Sequence, residues 1–200
     1  LQGEIVAAFG EVREGKVDDI WVRPYSLSEE MKSKHQATFF LKPEATSAGV
    51  DTNAILSTIF AKFAESEVAV GAVRILGGSY LNRENTMSEH YGVISQVSKQ
   101  GLAAIAPQAQ DTLDSKFAPL ISAGAPILGG HELLAQQPNI SAFALQVLND
   151  NIGTTKLAPG TYAMQLKIDG RPMLVLNGFH PQQLVPFTTP GNAIIVMEIL

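Results

Sequence analysis

The sequence contains no cysteine, no long apolar run and no basic cluster, and each absence excludes a class of protein. Without cysteine there are no disulfide frameworks, thiolate zinc sites or cysteine nucleophiles. No apolar run approaches the ~20 residues that a membrane-spanning helix needs, so no membrane association is expected. The 14 Lys and Arg residues are outnumbered by 19 Asp and Glu residues, for a net charge of −5. This balance argues against a nucleic-acid surface, although a local positive pocket could still hold a phosphate.

The composition and the chain ends predict one domain, or a small domain with an insertion, within a longer chain. The sequence has 200 residues, of which 46% are hydrophobic, which is ample for a core. It begins at Leu1 and stops inside the apolar run Ala193–Leu200, whereas natural ends usually lie in polar segments. That run predicts a strand buried on both faces. The absence of cysteine is compatible with a reducing cytoplasm, so we expect a cytoplasmic location.

The stretch after residue 37 places one cation at the end of a strand. Thr38–Leu41 consists of strand-forming residues, and Pro43 cannot continue a central ladder. Lys42 therefore stands where a buried strand emerges into a loop. Such positions present ligand-binding groups in open α/β sheets, but a solvated surface lysine is also common.

The next elements follow from capping and periodicity. Asp51 is a suitable N-cap for a helix over Thr52–Ala64, and Val68–Leu76 is a β-branched strand. On the helix that follows, Tyr91 lies on the apolar face with its hydroxyl at the rim. His90 beside it is predicted to be a surface histidine.

Residues 99–160 are rich in alanine, glycine and proline. A helix over Ser141–Leu148 is predicted within them, with Phe143 and Val147 facing inward. His131 falls in a Gly-Gly-His-Glu loop, and no second His, Asp or Glu stands at a metal-ligand spacing, so no metal ligand is predicted.

The clearest local pattern is a hairpin. Tyr162–Leu166 and Met173–Leu176 flank the pair Asp169-Gly170, which favours a two-residue turn. A short helix over His180–Phe187 follows.

Residues 1–36 predict an N-terminal arm laid on the main domain. Glu4–Phe9 fits a short helix or a strand, and Glu29–Ser33 fits a helix capped by Ser26 or Ser28.

The order of these elements resembles that of nucleoside diphosphate kinases. That family opens on a strand ending in Lys-Pro-Asp/Glu, followed by an amphipathic helix, a second strand and a short helix carrying His-Tyr. It then has a helix, a Ser-Gly-Pro type turn and a very apolar third strand. The matching segments here are Phe39–Glu44, Asp51–Ala64, Val68–Leu76, His90-Tyr91, Leu184–Phe187, Thr189-Pro190-Gly191 and Ala193–Met197. Residues 37–200 would then form the kinase-like domain, incomplete at its C-terminus, with residues 99–177 as an insertion.

The resemblance implies an α/β (α+β) fold, with a ferredoxin-like βαββαβ core, an inserted subdomain and a nucleotide site open to solvent. It would make Lys42 a phosphate ligand, since an ammonium is a compact charge for a phosphoryl oxygen. Tyr91 would orient the catalytic residue, and Phe179 and Leu184 would contact the base. The family's stacking phenylalanine stands four residues before the matched leucine, where this chain has His180.

The family's catalytic histidine, in Asn-x-x-His-Gly, comes after the third strand, as do its phosphate-clamping residues and fourth core strand. None of His35, His90, His131 and His180 stands in such a motif, so no catalytic residue is expected within this sequence. Transfer of a phosphoryl group from a nucleoside triphosphate to a diphosphate would use a phosphohistidine supplied beyond residue 200. Mg²⁺ would arrive with the nucleotide.

Two other functions stay open. The chain could be a non-catalytic nucleotide-binding or regulatory relative, or a ferredoxin-like protein-interaction domain whose insertion forms a partner surface. Because the family is usually oligomeric, the resemblance also implies a homo-oligomer, with contacts that the insertion would alter.

Overall fold

The computed structural model describes residues 1–26 and 34–200, which adopt an α+β fold. They divide into two compact units, one made of Leu1–Thr86 with Pro186–Leu200 and the other of Met87–Val185. Each unit has its own four-stranded sheet. The helix predicted over Glu29–Ser33 lies outside the described residues.

The first unit has a fully antiparallel sheet. Its elements are α1 (Gln2–Arg13), β1 (Asp19–Arg23), β2 (Ala37–Leu41), α2 (Pro43–Thr46), α3 (Thr52–Glu65), β3 (Val70–Gly77), α4 (Gly78–Arg83) and β8 (Ala193–Ile199). The strand order is β1-β3-β8-β2. Because β2 and β3 both run antiparallel to β8 between them, β2, α3 and β3 form a split βαβ unit. The complete ferredoxin-like βαββαβ core stays a prediction. The fourth strand of this sheet is β1, and β1 precedes the split unit in sequence.

Two sequence predictions in this unit are confirmed. The Asp51 side chain accepts a hydrogen bond from the Ala54 N–H at 2.9 Å, which makes it the N-cap of α3. The apolar run near the end of the sequence forms β8, a central strand in which Ile195 and Met197 are fully buried.

The segment expected as an N-terminal arm supplies part of the core in its described residues. Ile5, Phe9 and Val12 recur at i, i+4 and i+7 on α1, and all three are buried in the cluster that packs on the sheet. β1 then pairs with β3 as an edge strand.

The second unit contains a mixed sheet. Its elements are α5 (Thr86–His90, whose first residue belongs to the first unit), α6 (Gly92–Gln100), a 3₁₀ turn (Gly101–Ala104), α7 (Pro107–Ser122), β4 (Ile127–Gly129), α8 (Gly130–Gln136), α9 (Ala142–Ile152), β5 (Thr155–Ala158), β6 (Thr161–Ile168), β7 (Arg171–Leu176) and the start of α10 (His180–Thr188). The strand order is β4-β7-β6-β5, with β4 parallel to β7 and the other pairs antiparallel. This unit is wider than the predicted insertion over residues 99–177.

The hairpin prediction is confirmed. β6 and β7 pair in register from Ala163 with Leu176 to Ile168 with Arg171. Asp169 and Gly170 between them have φ values of 50° and 77°. Both turn residues are therefore left-handed, as a tight hairpin turn requires.

The inward face predicted for α9 is wrong. Phe143 is 65% exposed and Val147 is 40% exposed, whereas Leu145 is fully buried and Asn149 nearly so. The buried stripe includes a polar residue, so the apolar residues alone marked the wrong face of this helix.

Across residues 1–26 and 34–200, no helix combines the length and apolar character that crossing a membrane would require.

Candidate functional site

The five residues assigned to a nucleotide by resemblance fall in both units. Lys42 belongs to the first unit, whereas Tyr91, Phe179, His180 and Leu184 belong to the second. The two groups are considered separately.

Lys42 is held at the end of β2 by its backbone. It is the N-cap of α2, with an extended conformation, and Pro43 occupies the first helical position. The Thr46 hydroxyl donates to the carbonyl of Ala193 at 2.6 Å, which ties α2 to the start of β8. The side chain of Lys42 is exposed. Within residues 1–26 and 34–200 it forms no ion pair, so its ammonium group is available to an anion.

Tyr91 meets the segment that begins α10, although many residues separate the two in sequence. Its ring centre lies 5.7 Å from that of His180, with the planes at 74°. Phe179 makes a similar edge contact with Tyr162 at 5.8 Å. Tyr91 and His180, which the resemblance places at one site, are therefore neighbours within this unit.

The three predicted base contacts differ in exposure. Phe179 is half-buried, Leu184 is 9% exposed and His180 is 0% exposed. In this arrangement a base has no face of His180 on which to stack, because the ring has no accessible surface. Phe179 is therefore the aromatic group of the three that retains surface for a ligand.

The contacts around His180 include a second histidine that the sequence did not link to it. His131 lies in the first turn of α8 rather than in the predicted loop, and its ring centre is 5.8 Å from that of His180. Ser98 Oγ lies 2.9 Å from His131 Nδ1, and Gln183 Oε1 lies 3.3 Å from His180 Nδ1. We call His131 and His180 the histidine pair.

Both members of the histidine pair are held neutral. Burial, together with the nearby His180 and the charge of Lys99, lowers the pKa of His131 to about 4. Burial also lowers the pKa of His180, helped by Lys99 and opposed by the hydrogen bond to Gln183. Near neutral pH both rings are therefore uncharged imidazoles that can offer a nitrogen lone pair.

The histidine pair should make the protein less stable in acid. The pKa of His131 is about 4 in the native protein against 6.5 for an ordinary histidine. Between these values the unfolded chain binds a proton that the native protein does not, so the free energy of unfolding falls as the pH falls. Denaturant unfolding from pH 7 to pH 4 should show a shallower slope for His131→Gln than for wild type. An equal slope would contradict this, and His35→Gln, at an exposed position, is the control.

Two open hollows lie on the first unit. One, of about 510 Å³, is lined by residues of α1 and the start of α3, including Phe9, Arg13 and Asp51. The other, of about 410 Å³, is lined by Lys16 and Gly78 among others. Lys42 lines neither of them, so a nucleotide phosphate on Lys42 would lie outside both hollows.

Metal coordination by acidic clusters finds no support in the described part of the chain. No group of three or more His, Asp or Glu side chains there is arranged to hold a metal ion. Magnesium arriving with a nucleotide does not need such a group, because the phosphates and water supply most of its ligands.

Sequence reasoning missed the contribution of Ser98, His131 and Gln183. No local signal could have found the contact of Ser98 with His131 or of His131 with His180, since each joins residues far apart in the chain. The elements that position Lys42, by contrast, are adjacent to it in sequence: the end of β2 precedes it and Pro43 of α2 follows it.

Comparison with known proteins adds no relative: no family model matches the chain, and neither a curated protein nor a solved structure matches it at a significant level.

Proposed function

We propose that the protein binds nucleoside di- or triphosphates, with Lys42 as a phosphate ligand. The observation that carries the proposal is an exposed ammonium group, without an ion pair among the described residues, on backbone fixed between β2 and α2. The preceding strand and the following helix belong to a split βαβ unit, in the order that the resemblance requires. The fixed backbone directs the lysine side chain to the end of β2, and ordering that side chain on a phosphate costs about 0.5–1.5 kcal/mol.

The resemblance assigns further nucleotide contacts to residues of the second unit. Tyr91 and the start of α10 are in contact, as expected if residues between them were inserted into a kinase-like helix pair. We propose Phe179 as the aromatic contact of the base and Leu184 as its apolar neighbour. The hydroxyl of Tyr91 would orient the catalytic residue. Magnesium would bridge phosphate oxygens, and a cytoplasmic location fits the absence of cysteine.

Binding is tested by thermal or chemical unfolding with and without Mg-ATP. At about 100 times its Kd, the ligand should add about 2.7 kcal/mol to the free energy of unfolding. Lys42→Ala should weaken binding about tenfold or more, since a hydrogen bond to a charged group contributes about 1.5–3 kcal/mol. Lys167→Ala, at an exposed position of β6, is the matched control. Equal stabilisation of wild type and Lys42→Ala would overturn the role of Lys42, and no stabilisation of wild type would overturn nucleotide binding.

Phosphoryl transfer is the finer proposal, and it depends on a histidine beyond residue 200. A longer chain that carries Asn-x-x-His should form an acid-labile phosphoprotein with labelled ATP, because a neutral imidazole nitrogen attacks the γ-phosphorus. Nucleotide binding without labelling would instead support the non-catalytic relative.

A further inference from the structure

The hollow of about 510 Å³ on the first unit lies between two segments of the chain. One side is formed by α1, through Val6, Phe9, Gly10 and Arg13 among others, and the other by residues 50–53, where α3 begins. Small-molecule sites in proteins generally have volumes of about 300–1,000 Å³. The hollow, which we call the α1 hollow, therefore has room for a small ligand.

Gly10 leaves the middle of the α1 hollow open. Val6, Gly10 and Arg13 recur at i, i+4 and i+7, so they share one face of α1. A Cβ atom built on Gly10 would have no neighbour within 4 Å. Glycine inside a helix is less favourable than alanine, so helix stability does not account for this residue. What the glycine supplies is space between the side chains of Val6 and Arg13.

The α1 hollow offers apolar surface to a ligand. Val6 and Val50 line it and are half-buried, so each keeps surface that a ligand can cover. Phe9 lies deeper and is 5% exposed. Transfer of apolar ligand surface from water onto these side chains is favourable, and a flat body makes extensive contact with an open hollow.

Arg13 brings a positive charge to the lining of the hollow. Its guanidinium carbon lies over the Phe9 ring, 5.6 Å from the ring centre. This contact holds the guanidinium group against α1, and the side chain is half-buried. Among residues 1–26 and 34–200, Arg13 forms no ion pair. Its charge is thus held in place without a carboxylate partner from the described protein.

The two carboxylates that line the hollow are already engaged. Glu14 pairs with Lys16 at 2.6 Å and is largely exposed, so water and salt screen its charge. Asp51 accepts the hydrogen bond from the Ala54 N–H at 2.9 Å that caps α3. Both carboxylates would still repel a ligand with two negative charges. A ligand with a single negative charge fits this arrangement.

We propose that the α1 hollow binds a small monocarboxylate with an aromatic body. Arg13 receives the carboxylate, because a planar guanidinium group donates two parallel N–H bonds to the two oxygens of such a group. The aromatic body lies on Val6 and Val50, over the position of Gly10. Lys42 is not among the residues that line the hollow, so this site is separate from the proposed nucleotide site.

Amide NMR of the whole chain, titrated with 1-naphthoate, tests the site. Saturable shifts are expected at Val6, Gly10 and Val50. The compound 1-naphthylmethanol has a similar body without the charge, and it should bind at least about tenfold more weakly, since hydrogen bonds between charged groups are the stronger ones. Equal affinity for the two compounds would overturn the role of Arg13, and the absence of saturable shifts at the three residues would overturn the site.

Two substitutions and a control test the lining. Gly10→Leu fills the hollow and should weaken 1-naphthoate binding by more than about tenfold, while leucine suits a helix better than glycine. Gly3→Leu, at an exposed position of α1 with no neighbour within 4 Å of its Cβ, should leave binding unchanged. Arg13→Gln should bind 1-naphthoate and 1-naphthylmethanol with equal affinity. Wild-type binding in Gly10→Leu, or a retained preference for 1-naphthoate in Arg13→Gln, would contradict the proposal.

Discussion

Replacing Asn177 by Ala should destabilise the protein by about 4 kcal/mol, from three lost hydrogen bonds and a left-handed backbone. The side chain is 1% exposed. Its Nδ2 group donates to the carbonyls of Ile94 at 3.0 Å and Gly160 at 2.9 Å, and its Oδ1 accepts from the Tyr162 N–H at 2.9 Å. After the substitution, buried backbone groups on three different segments would lack partners.

Two variants separate the sources of this effect. Asn177 has φ 48°, which Gly adopts without strain and Ala does not. Asn177→Gly should therefore be about 1 kcal/mol less destabilising than Asn177→Ala, while both lose the hydrogen bonds. Denaturant unfolding measures both. A cost of less than about 1 kcal/mol for Asn177→Ala would show that water satisfies the exposed backbone groups.

Replacing Gly129 by Ala should destabilise the protein by about 3 kcal/mol or more, because the added methyl group meets backbone rather than side chains. Gly129 ends β4 where α6 passes close to it. A Cβ atom there would overlap the carbonyl oxygen of Ser98 and lie 2.7 Å from that of Val97. A backbone contact of this kind cannot be relieved by a rotamer change, so α6 would have to move away from β4.

The matched control is Gly10→Ala on α1. Gly10 is helical, and a Cβ atom there would have no neighbour within 4 Å. This variant should therefore gain about 0.5–1 kcal/mol, since Ala loses less backbone entropy than Gly in a helix. Unfolding free energies of the two variants should move in opposite directions. A neutral Gly129→Ala would mean that the approach of α6 to β4 is looser than described.

The elements predicted correctly are those whose signals are local. The hairpin follows from Asp169-Gly170 alone, because two residues with positive φ make a tight turn between alternating strands. The start of α3 follows from Asp51, whose side chain caps the nearest free N–H groups. In both cases the residues that decide the structure are within a few positions of one another.

The elements that the sequence left open or assigned wrongly are those in which local and tertiary preferences differ. α1 contains Gly3 and Gly10, which weaken its helical propensity, and the burial of Ile5 and Phe9 against the sheet outweighs this. On α9, the buried stripe contains Asn149 while Phe143 stays exposed. Burial there is decided by the surface that the helix meets.

The candidate sites divide in the same way. Lys42 could be found from the sequence because a strand, a proline and a helix start fix it within a few residues. The contacts that surround His180 depend on how distant segments fold together, so neither its burial nor its pairing with His131 could be read from spacing. Spacing along the chain does not identify a histidine pair that the tertiary fold creates.

Backbone amide NMR during a Mg-ATP titration tests the central claim most directly. Nucleotide binding through Lys42 predicts saturable shifts at Lys42 and Ala45, whose N–H donates to the Lys42 carbonyl at 2.9 Å. It also predicts that the shift at Ala45 is lost in Lys42→Ala. Spectra that do not change with Mg-ATP, or that change only at residues away from these positions, would contradict the proposed function.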